Sequence, residues 1–306
     1  MKIESAKSRT LKQAFTLVVC AYLLALLIAA GTGFLFRALH PVLLLFLADI
    51  AGTLVIYLFG RIFHNASFYD AYWSIAPLVI SMFWLLQNSA VSAATARQII
   101  VLSLVFIWGL RLTYNWARQW RGLKHEDWRY RDLRQKFLKW FWLIDLIGIE
   151  TMPTIIVFLA CLSLYSSIAI GKNPFGFLDV IAILITFSAI LIETIADGQL
   201  QQFTRSNPQS GNVLTKGLWA YSRHPNYFGE VLFWWGLFIF GLAADSGYWW
   251  TIIGPVSITL LFTCISIPLM EKRNTARRPG YAALKKKSLC FYRGSQSLEN
   301  LDWESI

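Results

Sequence analysis

The sequence predicts an all-α protein, a polytopic transmembrane helical bundle of about 7–8 spans with no Rossmann domain, and three observations carry that reading. Hydrophobic residues make up 56% of the 306 positions and charged residues only 15%, which is more apolar than an ordinary soluble domain. Nearly uncharged runs such as Ala14 to Phe36 and Tyr248 to Met270 reach the roughly 20 residues a helix needs to cross the hydrocarbon layer. The basic residues, which set the net charge at +11, concentrate in alternate intervening segments.

Spans fall at about 14–36, 41–62, 71–87, 98–117, 140–170, 177–196, 227–244 and 248–270. The first follows Lys2, Lys7, Arg9 and Lys12 as a signal peptide would, but it is long and lacks a clear small-residue cleavage site before His40-Pro41, so it reads as a retained helix. The fifth contains Asp145, Glu150 and Pro153, which suits a tilted or kinked helix, or one with an interfacial start. The expected division is N-terminal transmembrane helices over 1–64, a main membrane domain over 65–295 and a tail over 296–306.

With the amino terminus inside, the inner segments hold four Lys/Arg before residue 13, Arg61, eight between Arg118 and Lys139, three between Arg205 and Arg223, and eight after Met270. The outer segments hold only Arg37, Arg97 and Lys172, and Arg111 lies within a span. This positive-inside pattern predicts a multi-pass integral membrane protein with both termini cytoplasmic, in the endoplasmic reticulum of a eukaryote or the inner membrane of a bacterium. Basic charge thus follows topology, and no nucleic-acid-binding module accompanies it. Cys20, Cys161, Cys264 and Cys290 are scattered, with neither a CxxC pair nor a nearby His at ligand spacing, so neither a disulfide framework nor a metal site is predicted.

Acids in apolar stretches point to chemistry, because an ionised side chain at a helix centre costs roughly 2.5–3.5 kcal/mol on insertion scales. Asp49, Asp145, Glu150, Glu193 and Glu230 are of this kind; the bland alternative is an acid protonated or locally paired near the interface. Glu193, Asp197 and Gln201 recur every four residues, and Asn226 and Glu230 share a face in the same way. Between these sets runs a segment with Arg205, Lys216, Arg223 and His224. Acids and amides interleaved with Arg suit the hydroxyls, amide and phosphates of a nucleotide. Pro225 suits the first turn of a helix, whose free N–H groups favour an anion flanked by Arg223 and His224. An ordinary interfacial loop is the alternative.

The run Gly217-Leu218-Trp219-Ala220-Tyr221-Ser222-Arg223-His224-Pro225-Asn226-Tyr227-Phe228-Gly229-Glu230, followed by Trp234-Trp235-Gly236, resembles the signature of the steroid 5-alpha-reductase-like integral membrane family, in its unassigned-substrate subgroup. Trp108-Gly109-Leu110-Arg111-Leu112, Glu126-Asp127-Trp128-Arg129-Tyr130, Glu193-Thr194-Ile195-Ala196-Asp197-Gly198-Gln199 and Pro268-Leu269-Met270-Glu271-Lys272-Arg273 match the same subgroup in order. Sterol delta-14 reductases and isoprenylcysteine carboxyl methyltransferases carry related versions of the Arg-His-Pro core; the combined blocks resemble the reductase branch more.

The resemblance implies a pocket between helices that holds NADPH from the cytoplasmic side while a hydrophobic substrate enters from the bilayer. By motif position, Glu193, Asp197, Asn226, Tyr227 and Glu230 would meet the nicotinamide half or its ribose. Arg205, Arg223, His224, Arg273 and Tyr281 would meet phosphates or adenine. No Gly-x-Gly-x-x-Gly follows a strand, so helices would hold the cofactor.

The implied function is reduction of an enone-type carbon–carbon double bond in a steroid- or lipid-like substrate. Steroid reductases use a Glu and a Tyr to stabilise the enolate; here Trp108 stands where that Tyr is expected, and Asp70 with Tyr72 or Tyr114 becomes the catalytic acid and donor. A helix-capping Asp in an aromatic belt is the alternative reading. Two rival functions remain: an S-adenosylmethionine-dependent methyltransferase acting on a lipid or lipidated thiol, and a non-enzymatic lipid or sterol binder.

Overall fold

The computed structural model describes residues 9–87, 95–206 and 211–287, and no strand occurs among them. The expected tail over 296–306 lies outside the described residues. Among the described residues, eight helical segments are long and apolar enough to cross a membrane: Leu11–Leu35, Pro41–Phe63, Ala66–Leu86, Thr95–Gln119, Trp128–Ile170, Phe177–Ser206, Pro225–Ala244 and Ser246–Arg277. The protein is therefore a multi-pass helical membrane protein.

Local chemistry sets the helix ends. Helix α1 (Leu11–Leu35) opens on a capping box, in which Thr10 Oγ1 accepts from the Gln13 N–H and Gln13 Oε1 from the Thr10 N–H. Helix α2 (Pro41–Phe63) begins on its proline, with His40 Nδ1 accepting the Val42 N–H, and ends at His64 in the left-handed region, φ 52°. A 3₁₀ turn, Ala66–Phe68, leads into α3 (Tyr72–Leu86), and α4 (Thr95–Gln119) returns.

The fifth segment starts with an amphipathic helix, α5 (Trp128–Phe137), capped by Asp127. Leu138 at φ 28° breaks it before α6 (Phe141–Ile144), which supplies both the interfacial start and the kink. A π-helical stretch (Asp145–Thr151), α7 (Met152–Leu164) and a second π-helical stretch (Tyr165–Ile170) complete the segment.

Helix α8 (Phe177–Ser206) runs past its expected end near residue 196, so Asp197 and Gln201 keep the helical face their spacing predicts and Arg205 stands on a helix rather than in the segment that follows. Helix α9 (Pro225–Ala244) follows, then α10 (Ile253–Leu260) and α11 (Ile267–Arg277), separated by a π-helical stretch (Leu261–Ser266). This last segment also outruns its expected boundary, and it puts Glu271 and Arg273 on a helix. A short helix, α12 (Tyr281–Lys287), comes last.

Small residues decide which helices touch. Helix α1 buries Ala14, Val18, Ala21 and Ala25 while Leu27 and Phe34 stay exposed, the pattern of a helix with a packed seam and a lipid-facing back. On α9, a Cβ at Gly229 would lie 2.9 Å from the Ala189 carbonyl oxygen and 3.0 Å from Glu193 Cβ, and one at Gly236 would strike Thr186. Glycine at these positions lets α9 lie directly on α8 and brings Glu230 beside Glu193. Trp84, Trp108, Phe233, Trp234 and Phe240 fill the main core between them.

Candidate functional site

Helix direction puts the carboxyl end of α8, the amino end of α9 and the carboxyl end of α4 at one end of the bundle, and the polar residues of all three meet there. The innermost is Glu230, 3% exposed. Trp108 Nε1 donates to its Oε2 at 2.9 Å and Trp234 Nε1 to its Oε1 at 2.8 Å. Trp108 is itself clamped by stacking on Phe233, with centroids 4.7 Å apart. Both carboxyl oxygens of Glu230 are thus held by indole donors from two helices, which is how a buried polar group avoids its desolvation cost.

One turn nearer the end, Arg111 bridges Glu193 at 2.6 Å and Asp197 at 2.9 Å. Asp197 also accepts from Asn115 Nδ2 and from Asn226 Nδ2, each at 3.2 Å. Residues from α4, α8 and α9 share this network, so it exists only when the three helices are packed.

The outermost layer begins where the chain between α8 and α9 folds back on α8. Gly217 has φ 63°, and a Cβ there would strike Gln199, whose Oε1 accepts the Leu218 N–H at 3.0 Å. Trp219 Nε1 donates to the Ala196 carbonyl at 3.1 Å. This turn delivers Arg223 and His224 to Glu271 of α11, at 2.8 Å and 3.6 Å, and Lys285 of α12 reaches the same carboxylate at 2.9 Å. Arg223 also donates to the Lys285 carbonyl. The His224 ring stacks on Tyr227, 5.4 Å between centroids and 8° between planes. Burial, with the Arg223 charge beside it, pushes the His224 imidazole down to about 4 against the opposing pull of Glu271, so the ring is neutral near pH 7. A cavity of about 110 Å3 opens here, lined by Arg223, His224, Asn226, Tyr227, Arg278 and Tyr281 among others.

The structure therefore brings together Glu193, Asp197, Arg223, His224, Asn226, Tyr227, Glu230 and Tyr281. It does not bring Arg205, exposed on the last turn of α8, or Arg273, whose guanidinium lies 4.0 Å from the Trp128 ring centroid and outside the cavity lining. None of the three expected catalytic residues lines this cavity. Tyr130 donates to Asp70 at 2.8 Å, and Tyr72 donates to Asp49 at 3.3 Å. Tyr114 is 62% exposed with Arg118 over its ring, because that face of α4 turns away from the bundle.

Sequence reasoning left Trp108, Arg111, Asn115, Glu271 and Lys285 out of the site. Arg111 had a signal, as a cation well inside an expected span rather than at its edge, a costly placement that demands partners.

A bundle of eight spanning helices with a buried ion-pair network opening onto a cationic, aromatic-lined cavity defines a polytopic membrane protein with an internal polar site. Residues 56–288 match the family described as a protein of unknown function, DUF1295, and the chain belongs to that family, which is associated with steroid 5-alpha-reductase-like proteins. It is also similar to an uncharacterized protein of Schizosaccharomyces pombe, 26% identical over 288 residues that cover 84% of this chain and 82% of the relative. No solved structure matches.

Proposed function

We propose that this protein is an NADPH-dependent reductase of an enone-type double bond in a hydrophobic, steroid- or lipid-like substrate, with its basic end and both termini in the cytoplasm. The observation that supports this most is the continuity of the Arg111–Asp197–Asn226 network with the cavity lined by Arg223, His224, Tyr227 and Tyr281. Cations suit phosphates, aromatic faces suit a ring system, and the amide and carboxylate suit a carboxamide or ribose.

The lining fits the anionic and aromatic half of the cofactor. A volume of about 110 Å3 falls below the ~300–1,000 Å3 of sites that enclose whole ligands, so full seating calls for α12 to shift and for phosphate to displace Glu271 from Arg223 and Lys285. Asn226 and Asp197 would orient the inner end, and Glu230, immobilised by two indoles, would present a fixed polar wall behind it. The cofactor supplies a hydride when bound.

The test is the thermal shift of detergent-purified protein with NADPH, NADH, S-adenosylmethionine or no addition. Stabilisation by NADPH that disappears in Asn226→Ala is the expected result. Stabilisation by S-adenosylmethionine without NADPH replaces the reading with a methyltransferase. No response to any of them favours a non-catalytic lipid binder, which one observation supports: Glu230, Asp197 and Asn226 already have protein partners.

A further inference from the structure

The end of the bundle remote from Arg223 and His224 carries a larger cavity, about 580 Å3, walled by His40, Tyr165, Asp245, Tyr248 and Trp250. It lies where α9 ends and α2 begins, a full helix length from the site described above. We propose that it binds a quaternary ammonium group, such as the choline moiety of a phospholipid headgroup.

The first argument is the wall. Tyr165 packs edge-on against both His40 (6.0 Å, 76°) and Tyr248 (5.8 Å, 77°), and Tyr248 is tilted 44° to Trp250 at 5.9 Å. Rings set at such angles form a cup rather than a flat stack, and aromatic faces around a cup attract a soft, weakly hydrated cation. Trp84, fully buried behind Tyr165 at 4.6 Å, backs the wall. A volume of this order falls in the range of small-ligand sites.

The second argument is charge. Asp245 follows the last residue of α9 and caps the 3₁₀ turn Ser246–Ile252 that comes next, so it adds a carboxylate to the negative end of the α9 dipole, where a cation is favoured. Its Oδ1 accepts the Gly247 N–H at 2.9 Å, and among the described residues it has no ion-pair partner. Arg97, the cation seated near that helix end, is committed to Asp179 at 2.6 Å and to the carbonyls of Asn173 and Pro174. The cup therefore holds an unneutralised carboxylate.

The third argument is His40. The Val42 N–H donates to its Nδ1, so in the neutral ring the hydrogen sits on Nε2. A hydrogen-bond donor in the same cavity as a carboxylate and aromatic rings suits a zwitterion: ammonium toward Asp245 and the rings, phosphate oxygen toward the imidazole.

The test uses the full chain in nanodiscs of phosphatidylglycerol. In one arm, tetramethylammonium chloride is titrated against sodium chloride at equal ionic strength while tryptophan fluorescence is read. In the other, phosphatidylcholine spin-labelled in its headgroup is added and fluorescence quenching is read, with labelled phosphatidylglycerol as control. The variants are Asp245→Asn, which keeps an oxygen for the Gly247 N–H and removes the charge, and Tyr248→Leu. The unfolding midpoint without ligand shows whether each variant is folded.

The expected result is saturable binding that weakens by about tenfold in each variant. Saturation in both arms makes the ammonium group itself the ligand. Saturation with phosphatidylcholine alone assigns the site to the lipid headgroup, and saturation with tetramethylammonium alone assigns it to a soluble ammonium solute. No saturable binding in either arm, or equal affinity in folded Asp245→Asn, overturns the proposal.

Discussion

Trp108 and Glu230, 122 residues apart, are joined by an indole N–H donated to the carboxyl at 2.9 Å, with both side chains buried. The indole takes the position where a catalytic tyrosine was expected from the family resemblance. Its hydrogen bond holds Glu230 in place and ties α4 to α9.

Replacing Trp108 with Phe keeps an aromatic ring and deletes the donor. A buried acceptor that loses its partner costs about 1–3 kcal/mol, and the unfolding midpoint in mild detergent should fall accordingly. Trp234→Phe, which removes the donor to the other oxygen, should lower it to a similar degree.

Asp197→Asn keeps the shape of the inner network and removes the charge that Arg111 faces at 2.9 Å. If the cavity takes NADPH, apparent affinity in a thermal-shift titration should drop by about tenfold or more, since a hydrogen bond to a charged group contributes ~1.5–3 kcal/mol. Asn226→Ala should act in the same direction. An affinity unchanged in both variants would remove this network from the site.

Arg97 and Asp179 provide the control. Their bidentate pair, at 2.6 Å and 2.7 Å, is shut off from solvent at the other end of the bundle. Arg97→Met strands a buried carboxylate, and breaking such a pair costs about 3–5 kcal/mol. Stability measured by denaturation should fall steeply, while the NADPH binding proposed above should be unchanged in the protein that remains folded.

Stability should also depend on pH through His224. Its imidazole is lowered from 6.5 to about 4 in the folded protein, chiefly by burial. Between those values the unfolded chain binds the proton and the folded one does not, so stability rises with pH through that window and is lost as pH falls from about 6.5 toward 4. Above 6.5 the residue contributes no slope. The unfolding midpoint across this range should flatten in His224→Gln.

The spans were legible in the sequence because apolar length is local: a run such as Ala14 to Phe36 leaves the chain little alternative to a helix in lipid. The ends of α8 and α11 were not. Their last turns are polar and depend on other segments, as when Gln199 and Ala196 accept from the folded-back Leu218 and Trp219. Half of the candidate site was also local, since Glu193 with Asp197, and Asn226 with Glu230, share faces by four-residue spacing.

What the sequence determined by itself is a multi-pass helical protein with costly polar residues near the ends of two helices. Tertiary structure decided which partners those residues have: Arg111 and Trp108 from α4, Glu271 from α11, Lys285 from α12. It also gave Asp70 and Tyr72, neighbours in the chain, different partners in Tyr130 and Asp49, and left Tyr114 exposed. The physical reason is that helical periodicity fixes a residue's face but not the helix it meets, and that choice rests on close-packing glycines such as Gly229 and Gly236, where α9 presses directly on α8.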